Sequence, residues 1–247
     1  MHRVGIGLLL ALGLAGASLA AEFKVLAPNA AREPVLEAIA VFEQATGHQV
    51  SVAWSGTEAI TRRVAEGERV DLVVNAAQNL DRLASEGRLV AATRTDFARS
   101  GIGVAVPASS PAVDVSTSEA IRRLLVSAPS VAVSSGTSGR HMVDMFGKLG
   151  IGEQLKPKTR QPPSGAQIAD VLAAGEAAVG FQQVSELLHA KGIRYLGPLP
   201  ADLQNYTVYA AAVHASATDT EALKPLLAAL RSASVQAAVR VAGMEPM

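Results

Sequence analysis

The chain has 247 residues, 49% of them apolar and 18% charged, with 22 basic and 22 acidic side chains and no cysteine. This balance lacks the basic excess of a nucleic-acid binder, and the missing thiols exclude disulfides, thiolate metal sites, cysteine nucleophiles and an N-terminal lipidated cysteine. The length suits one large domain or two small lobes.

Residues 1–20 read as a secretory signal peptide, with Arg3 as the positive n-region, Val4 to Leu14 as the apolar segment and Ser18-Leu19-Ala20 as the cleavage site. Cleavage after Ala20 leaves 21 basic and 22 acidic side chains. No later segment approaches the ~18 apolar residues of a membrane span, so a soluble, exported, periplasmic protein is expected.

Strand and helix patterns then alternate. Glu22 to Ala27 is a predicted strand. Pro34 to Ala45 is a predicted helix, with Val35, Leu36, Ile39 and Phe42 as its stripe and Gly47 as its stop. A strand over Val50 to Trp54, a helix over Ala59 to Glu66, a strand over Asp71 to Asn75 and a helix over Leu80 to Glu86 follow. Repeated βα units imply a parallel sheet covered by helices. The series restarts with a strand over Ser100 to Pro107. It continues with a helix over Ser118 to Val126, a strand over Ser130 to Val133, helices over Arg140 to Leu149 and Gln167 to Ala174, and a strand over Ala177 to Gln182. After the break GPLPADLQ, Asn205 to Val213 reads as a strand and two helices close the chain. The expected fold is α/β: a two-lobed clam shell with two hinge-crossing strands. Residues 21–103 plus 204–247 form lobe 1, and residues 104–203 form lobe 2.

Four polar loops open helices: APNAAREP from Ala27, WSGTEAI from Trp54, SSGTSGRH from Ser134 and PPSGAQI from Pro162. Ser55 with Glu58, and Ser164 with Gln167, fit a capping box, which explains each loop locally. Together the loops place helix starts at the carboxyl ends of strands, where free N–H groups and the helix dipole favour anions. Arg140 adds a planar, permanently charged fork beside them.

The segments KVLAPNA, FEQATGHQV, WSGTEAITRRVAEGERVDLVV, SGTSGRHM, VLAAGEAAVGFQQVSEL and GPLPADLQNYTVYAAAV resemble the periplasmic molybdate-binding proteins of ABC transporters, in a divergent branch. The resemblance implies a type II periplasmic-binding-protein fold without catalysis, cofactor or metal. It also implies a small anion bound between the lobes and delivered to an inner-membrane permease; a monomer is expected and, from the charge balance, no nucleic-acid partner. The family's first oxyanion-binding serine falls on Ala30, beside Asn29, and the second on Thr57, beside Ser55. The backbone donors fall on Ser138 and on Gly165, beside Ser164. The family's tyrosine falls on Gln183. Ala30 and Gln183 depart from the pattern, and Arg140 has no counterpart. Because a planar carboxylate pairs bidentately with arginine, an organic di- or tricarboxylate is the expected ligand, with molybdate or tungstate as the alternative.

Other signals weigh less. The histidines show no metal-ligand spacing, and G-x-S-x-G is absent. A hydrolase built on Ser138 and His141 remains a distant alternative. Arg62 and Arg63, with Glu58 and Glu66 at i±4, read as a solvated charged face. Tyr206 and Tyr209 fall on opposite faces of their strand, one toward the cleft and the other toward the core.

Overall fold

The computed structural model describes residues 20–247. The expected signal segment lies outside the described residues except for Ala20.

The strands are β1 (Glu22–Pro28), β2 (Gln49–Ser55), β3 (Leu72–Ala76), β4 (Thr95–Ser100), β5 (Ile102–Pro107), β6 (Val131–Val133), β7 (Thr159–Arg160), β8 (Val179–Gln183), β9 (Ile193–Pro198), β10 (Thr207–Val213) and β11 (Glu245–Pro246). The helices are α1 (Arg32–Thr46), α2 (Thr57–Ala65), α3 (Ala77–Ser85), α4 (Ser118–Ser127), α5 (Thr137–Lys148), α6 (Gly152–Leu155), α7 (Ile168–Ala173), α8 (Val184–Leu187), α9 (Lys224–Ala229) and α10 (Ala233–Val241).

Two sheets organise these elements. One has the order β11-β4-β10-β3-β1-β2, the other β7-β6-β8-β5-β9. In the first, β1 runs parallel to β2 and β3, while β10 returns antiparallel between β3 and β4. In the second, β6 runs parallel to β7 and β8, and β5 lies antiparallel between β8 and β9. Each sheet is buried on both faces. Phe23, Val25, Val35, Ile39 and Phe42 belong to the core on one side of the first sheet, and Leu26, Ile60, Val64, Leu80 and Leu83 to the core on the other. This is why Leu72 to Val74 of β3 are apolar without alternation: all five residues of the strand are buried, and the polar one, Asn75, donates to Thr57 O and Thr61 Oγ1.

Local rules set the boundaries. In α1, Pro34 sits in the first turn, where its missing N–H costs little, and Val35, Ala38, Ile39 and Phe42 turn inward. Gly47 ends the helix in the left-handed region, donating its N–H to Glu43 O at 2.9 Å.

The chain crosses between sheets twice, at Gly101 between β4 and β5 and in the segment between β9 and β10. The Gln204 side chain staples the two crossings: its Oε1 accepts from Ile102 N at 2.7 Å, and its Nε2 donates to Ile102 O at 3.0 Å. The single strand expected over Ser100 to Pro107 is therefore the end of one strand and the whole of another, divided at the crossing. The expected capping boxes do not form. The N-cap of α2 is Gly56 and that of α7 is Gln167, and neither carries a side-chain cap of its own.

Candidate ligand-binding cleft

The carboxyl ends of β1, β2, β6 and β8 converge where the lobes meet. They enclose a cavity of about 40 Å³, room for about three water-sized groups. Eight of the nine residues singled out in the sequence border it: Asn29, Ala30, Ser55, Thr57, Ser138, Ser164, Gly165 and Gln183. Arg140 does not. It is the fourth residue of α5, and its guanidinium turns toward α2, where Nη1 pairs with Glu58 Oε1 at 2.6 Å. The expected carboxylate fork is thus replaced by an ion pair between lobes. Glu58 is consequently unavailable to Arg62 and Arg63, and Arg63 pairs instead with Glu68, at 2.6 Å.

Two helix starts face each other across the cavity. An ideal Cβ on Gly136, the N-cap of α5, would lie 3.0 Å from Thr57 Oγ1 at the start of α2. The first three amides of each helix have no intrahelical acceptor. In α2 the Ala59 N–H donates to Ser164 Oγ at 3.2 Å, a helix cap supplied by the opposite lobe. In α5 the Gly139 N–H donates to Ser134 Oγ at 3.2 Å. The amides of Thr57, Glu58, Thr137 and Ser138 are left at the two positive helix ends. Thr137 Oγ1 is buried without a hydrogen-bond partner among the described residues.

The lobes also touch through Asn29, whose Nδ2 donates to Gly165 O at 3.1 Å. Gly165 has φ +93°, a backbone region that favours glycine. Gly56 is required by proximity instead: a Cβ there would collide with Ser164 Oγ and Gly165 N.

Gln183 borders the cavity, but its amide serves the hinge. Its oxygen accepts from Thr207 Oγ1 at 2.9 Å, and its nitrogen donates to Ser100 O at 3.0 Å. The tyrosine of the site is Tyr209 on β10, 1% exposed. Burial foremost, with the charge of Glu186 adding to it, holds its phenol well above the usual range, so it remains a neutral O–H donor. Tyr206 is exposed, with Arg99 stacked over its ring at 4.6 Å, so the expected division of the two tyrosines between cleft and core does not occur: Tyr209 occupies both places. His141 turns from the cavity to the hinge, where Nε2 lies 2.8 Å from Leu203 O, and Ser138 Oγ contacts Ser134 Oγ at 2.9 Å. The serine–histidine pair of a hydrolase is therefore not assembled.

Sequence reasoning missed Glu186, on α8. Among the described residues it is the one charged side chain on the cavity, whose border carries no lysine, arginine or histidine. Protein surrounds it, yet it keeps some surface open to the cavity. Its Oε1 accepts from Gln182 Nε2 at 2.8 Å and Gln167 Nε2 at 3.4 Å. Gln182 Oε1 in turn accepts from Ile168 N at 2.8 Å, fixing the amide and with it the carboxyl. Burial pushes the Glu186 carboxyl up to about 7, against the opposing pull of the two glutamine hydrogen bonds. The signal available in the sequence was the Q-Q-V-S-E run directly after a buried strand.

The family model for bacterial extracellular solute-binding proteins matches residues 23–245. The chain belongs to this family. This solute-binding protein is 31% identical over 219 residues to an aconitate isomerase of a Pseudomonas species, covering 86% of this chain and 83% of that one. It is 28% identical over 189 residues to the molybdate-binding protein ModA of Rhodobacter capsulatus, covering 75% and 73%. Among solved structures, the periplasmic molybdate-binding protein of Azotobacter vinelandii superposes with a TM-score of 0.75 at 17% identity, covering 90% of this chain and 98% of that one. The two-lobed α/β fold and the likeness to molybdate-binding proteins thus hold. Among the described residues of this solute-binding protein, no helix is long and apolar enough to cross a membrane.

Proposed function

We propose that this protein is the periplasmic binding component of an ABC-type importer, closing on a small organic anion of the polycarboxylate class and presenting it to a permease. Glu186 carries the reading. A carboxyl on an anion site repels a fully ionised strong-acid oxyanion unless it takes up a proton. A polycarboxylate is a weak acid, so ligand and Glu186 share one proton between them. Helix-start amides, the Thr137 hydroxyl and the Tyr209 phenol supply neutral donors. The name of the Pseudomonas relative points to the same ligand class.

Molybdate or tungstate is the second reading, favoured by the small cavity and, among the described residues, by the absence of a cationic side chain from its border. A thermal-shift panel of citrate, tricarballylate, cis- and trans-aconitate, molybdate, tungstate and sulfate tests both. A ligand at ~100 times its dissociation constant adds ~2.7 kcal/mol of stability, roughly 5–10 °C for a chain of this size. Such a shift with a polycarboxylate, larger at pH 6 than at pH 8, is expected. A shift confined to molybdate and tungstate returns the protein to the oxyanion reading.

A further inference from the structure

We propose a second ligand site behind the hinge: a pocket that takes a single-ring aromatic carboxylate and, when filled, holds the cleft shut. The inference does not depend on what the cleft binds. A cavity of about 200 Å³ lies at the two crossings, with Gly101 and Gln204 in its border. The lobe of the first sheet gives it Arg99, Tyr206 and Glu245, and the lobe of the second gives it Tyr195 and Pro198. None of its lining residues borders the inner cavity. Gln183 and Val184 are neighbours in the chain, yet the first borders the inner cavity and the second this pocket, so the hinge runs between the two spaces.

The lobes also touch along that line, at Gly243. A Cβ there would lie 2.8 Å from Leu188 Cδ2 and 2.9 Å from Val184 Cγ1, so the backbone of one lobe rests directly on side chains of the other. Ala242, one residue earlier, borders an outer groove that shares Asn29 and Gly165 with the inner cavity. Gly243 itself borders the pocket behind the hinge. The contact is therefore a fulcrum. Rotation that spreads the lobes in front of it brings Tyr206 and Glu245 toward Tyr195 and Pro198 behind it. The pocket is open when the cleft is closed and narrows as the cleft opens. An occupant binds the closed form better than the open one, and by linkage it tightens whatever the cleft holds.

The border of the pocket sets the class of occupant. An engineered cavity of about 150 Å³ holds benzene, so a space of about 200 Å³ matches one aromatic ring carrying one small group. Tyr195, Tyr206 and Pro198 offer the ring apolar surface. Arg99 is steadied over the Tyr206 ring at 4.6 Å. Its Nε and Nη2 donate to Glu245 Oε2, which neutralises that carboxylate, while its Nη1 has no partner among the described residues. The Tyr195 hydroxyl makes no hydrogen bond among them either, and burial pushes its phenol up to about 12, so it stays a neutral O–H donor. Both free donors are met by a carboxylate.

Benzoate is the probe. Calorimetry on the ligand-free mature chain is expected to show benzoate binding at millimolar concentrations, and small-angle scattering a smaller radius of gyration once it is bound. Arg99→Gln is expected to weaken benzoate by about tenfold, and Tyr206→Ala, at a residue 46% exposed, by severalfold. Val184→Phe fills the pocket, so it should abolish benzoate binding and leave the ligand-free chain already compact; Tyr206→Ala covers the case in which this variant misfolds. In chain saturated with citrate or molybdate, benzoate should bind about fivefold tighter or more, and benzoate should tighten that second anion by the same factor. No benzoate binding overturns the inference. So does binding undiminished in both Arg99→Gln and Tyr206→Ala, or competition between benzoate and either cleft anion, because both place benzoate elsewhere. Binding with neither compaction nor coupling overturns the closing action. Failure of citrate and molybdate alike to bind overturns both readings of the cleft and leaves the benzoate site to stand or fall on its own variants.

Discussion

Arg140 and Glu58 reach toward each other from opposite lobes, with side chains 49% and 31% exposed. At that exposure an ion pair contributes about 0.2–1 kcal/mol and is screened by salt. Arg140→Ala is therefore expected to weaken every ligand by no more than about fivefold, and less at high salt, as titration calorimetry can measure. A loss above tenfold for carboxylates alone would restore Arg140 as a ligand clamp. Glu186 makes a different prediction. Its carboxyl ionises at higher pH in the folded chain than in the unfolded one. Between about pH 4.5 and 7 the folded state binds the extra proton, so stability falls as pH rises through that window and then levels off. Glu186→Gln removes the titration. The variant is expected to melt above wild type at pH 8, with the gap closing by pH 5. A gap independent of pH would show that ionisation is not the cause.

Among the elements, α2 and its N-cap carry the most consequence. Gly56 has φ −85° and ψ 155°, which any residue adopts, so Gly56→Ala strains nothing in an isolated lobe. The cost falls on closure, because the new Cβ meets Ser164 and Gly165. Gly56→Ala is expected to fold normally and to lose more than tenfold in affinity. Its radius of gyration in small-angle scattering should stay larger on ligand addition; unaltered affinity would refute the contact. The elements legible in advance were those with a strong period. The stripe of α1 and the apolar runs of β3 and β10 could be read because burial repeats along them. The strand β4, TDFARS, was not legible. Only Phe97, Ala98 and Ser100 are buried there, and its pairing with β10 and β11 is a long-range event. The capping boxes misled for a related reason: Ser164 does cap a helix, but one in the other lobe.

At the scale of the whole molecule, the alternation of β1 to β3 with their helices, the hinge crossings and the meeting of four loops followed from the βα alternation and its interruption before GPLPADLQ. The direction of individual side chains did not. Arg140 and Gln183 have the chemistry of ligand donors, and Ser138 two residues before the one and Gln183 itself border the cavity, yet one side chain is taken by an ion pair and the other by the hinge. Competing partners distant in the chain decide such cases, and no local pattern records them. The export reading is separately testable. Peptide mapping of protein recovered from the periplasm is expected to begin at Ala21, and an intact Met1 would contradict it.

The bonds that join the lobes, Ser164 to Ala59, Asn29 to Gly165 and Arg140 to Glu58, run from protein to protein. Their free energy enters the binding of every ligand alike, because every ligand is held in the same closed form. How tightly this protein binds and what it prefers to bind are thus written in different residues. A substitution at Arg140, which does not border the cavity, slides all dissociation constants up or down together and leaves their ratios unchanged, whereas one at Thr137 or Glu186 reorders them. A lineage facing a scarcer nutrient can sharpen its scavenging through the first set without relearning its diet through the second.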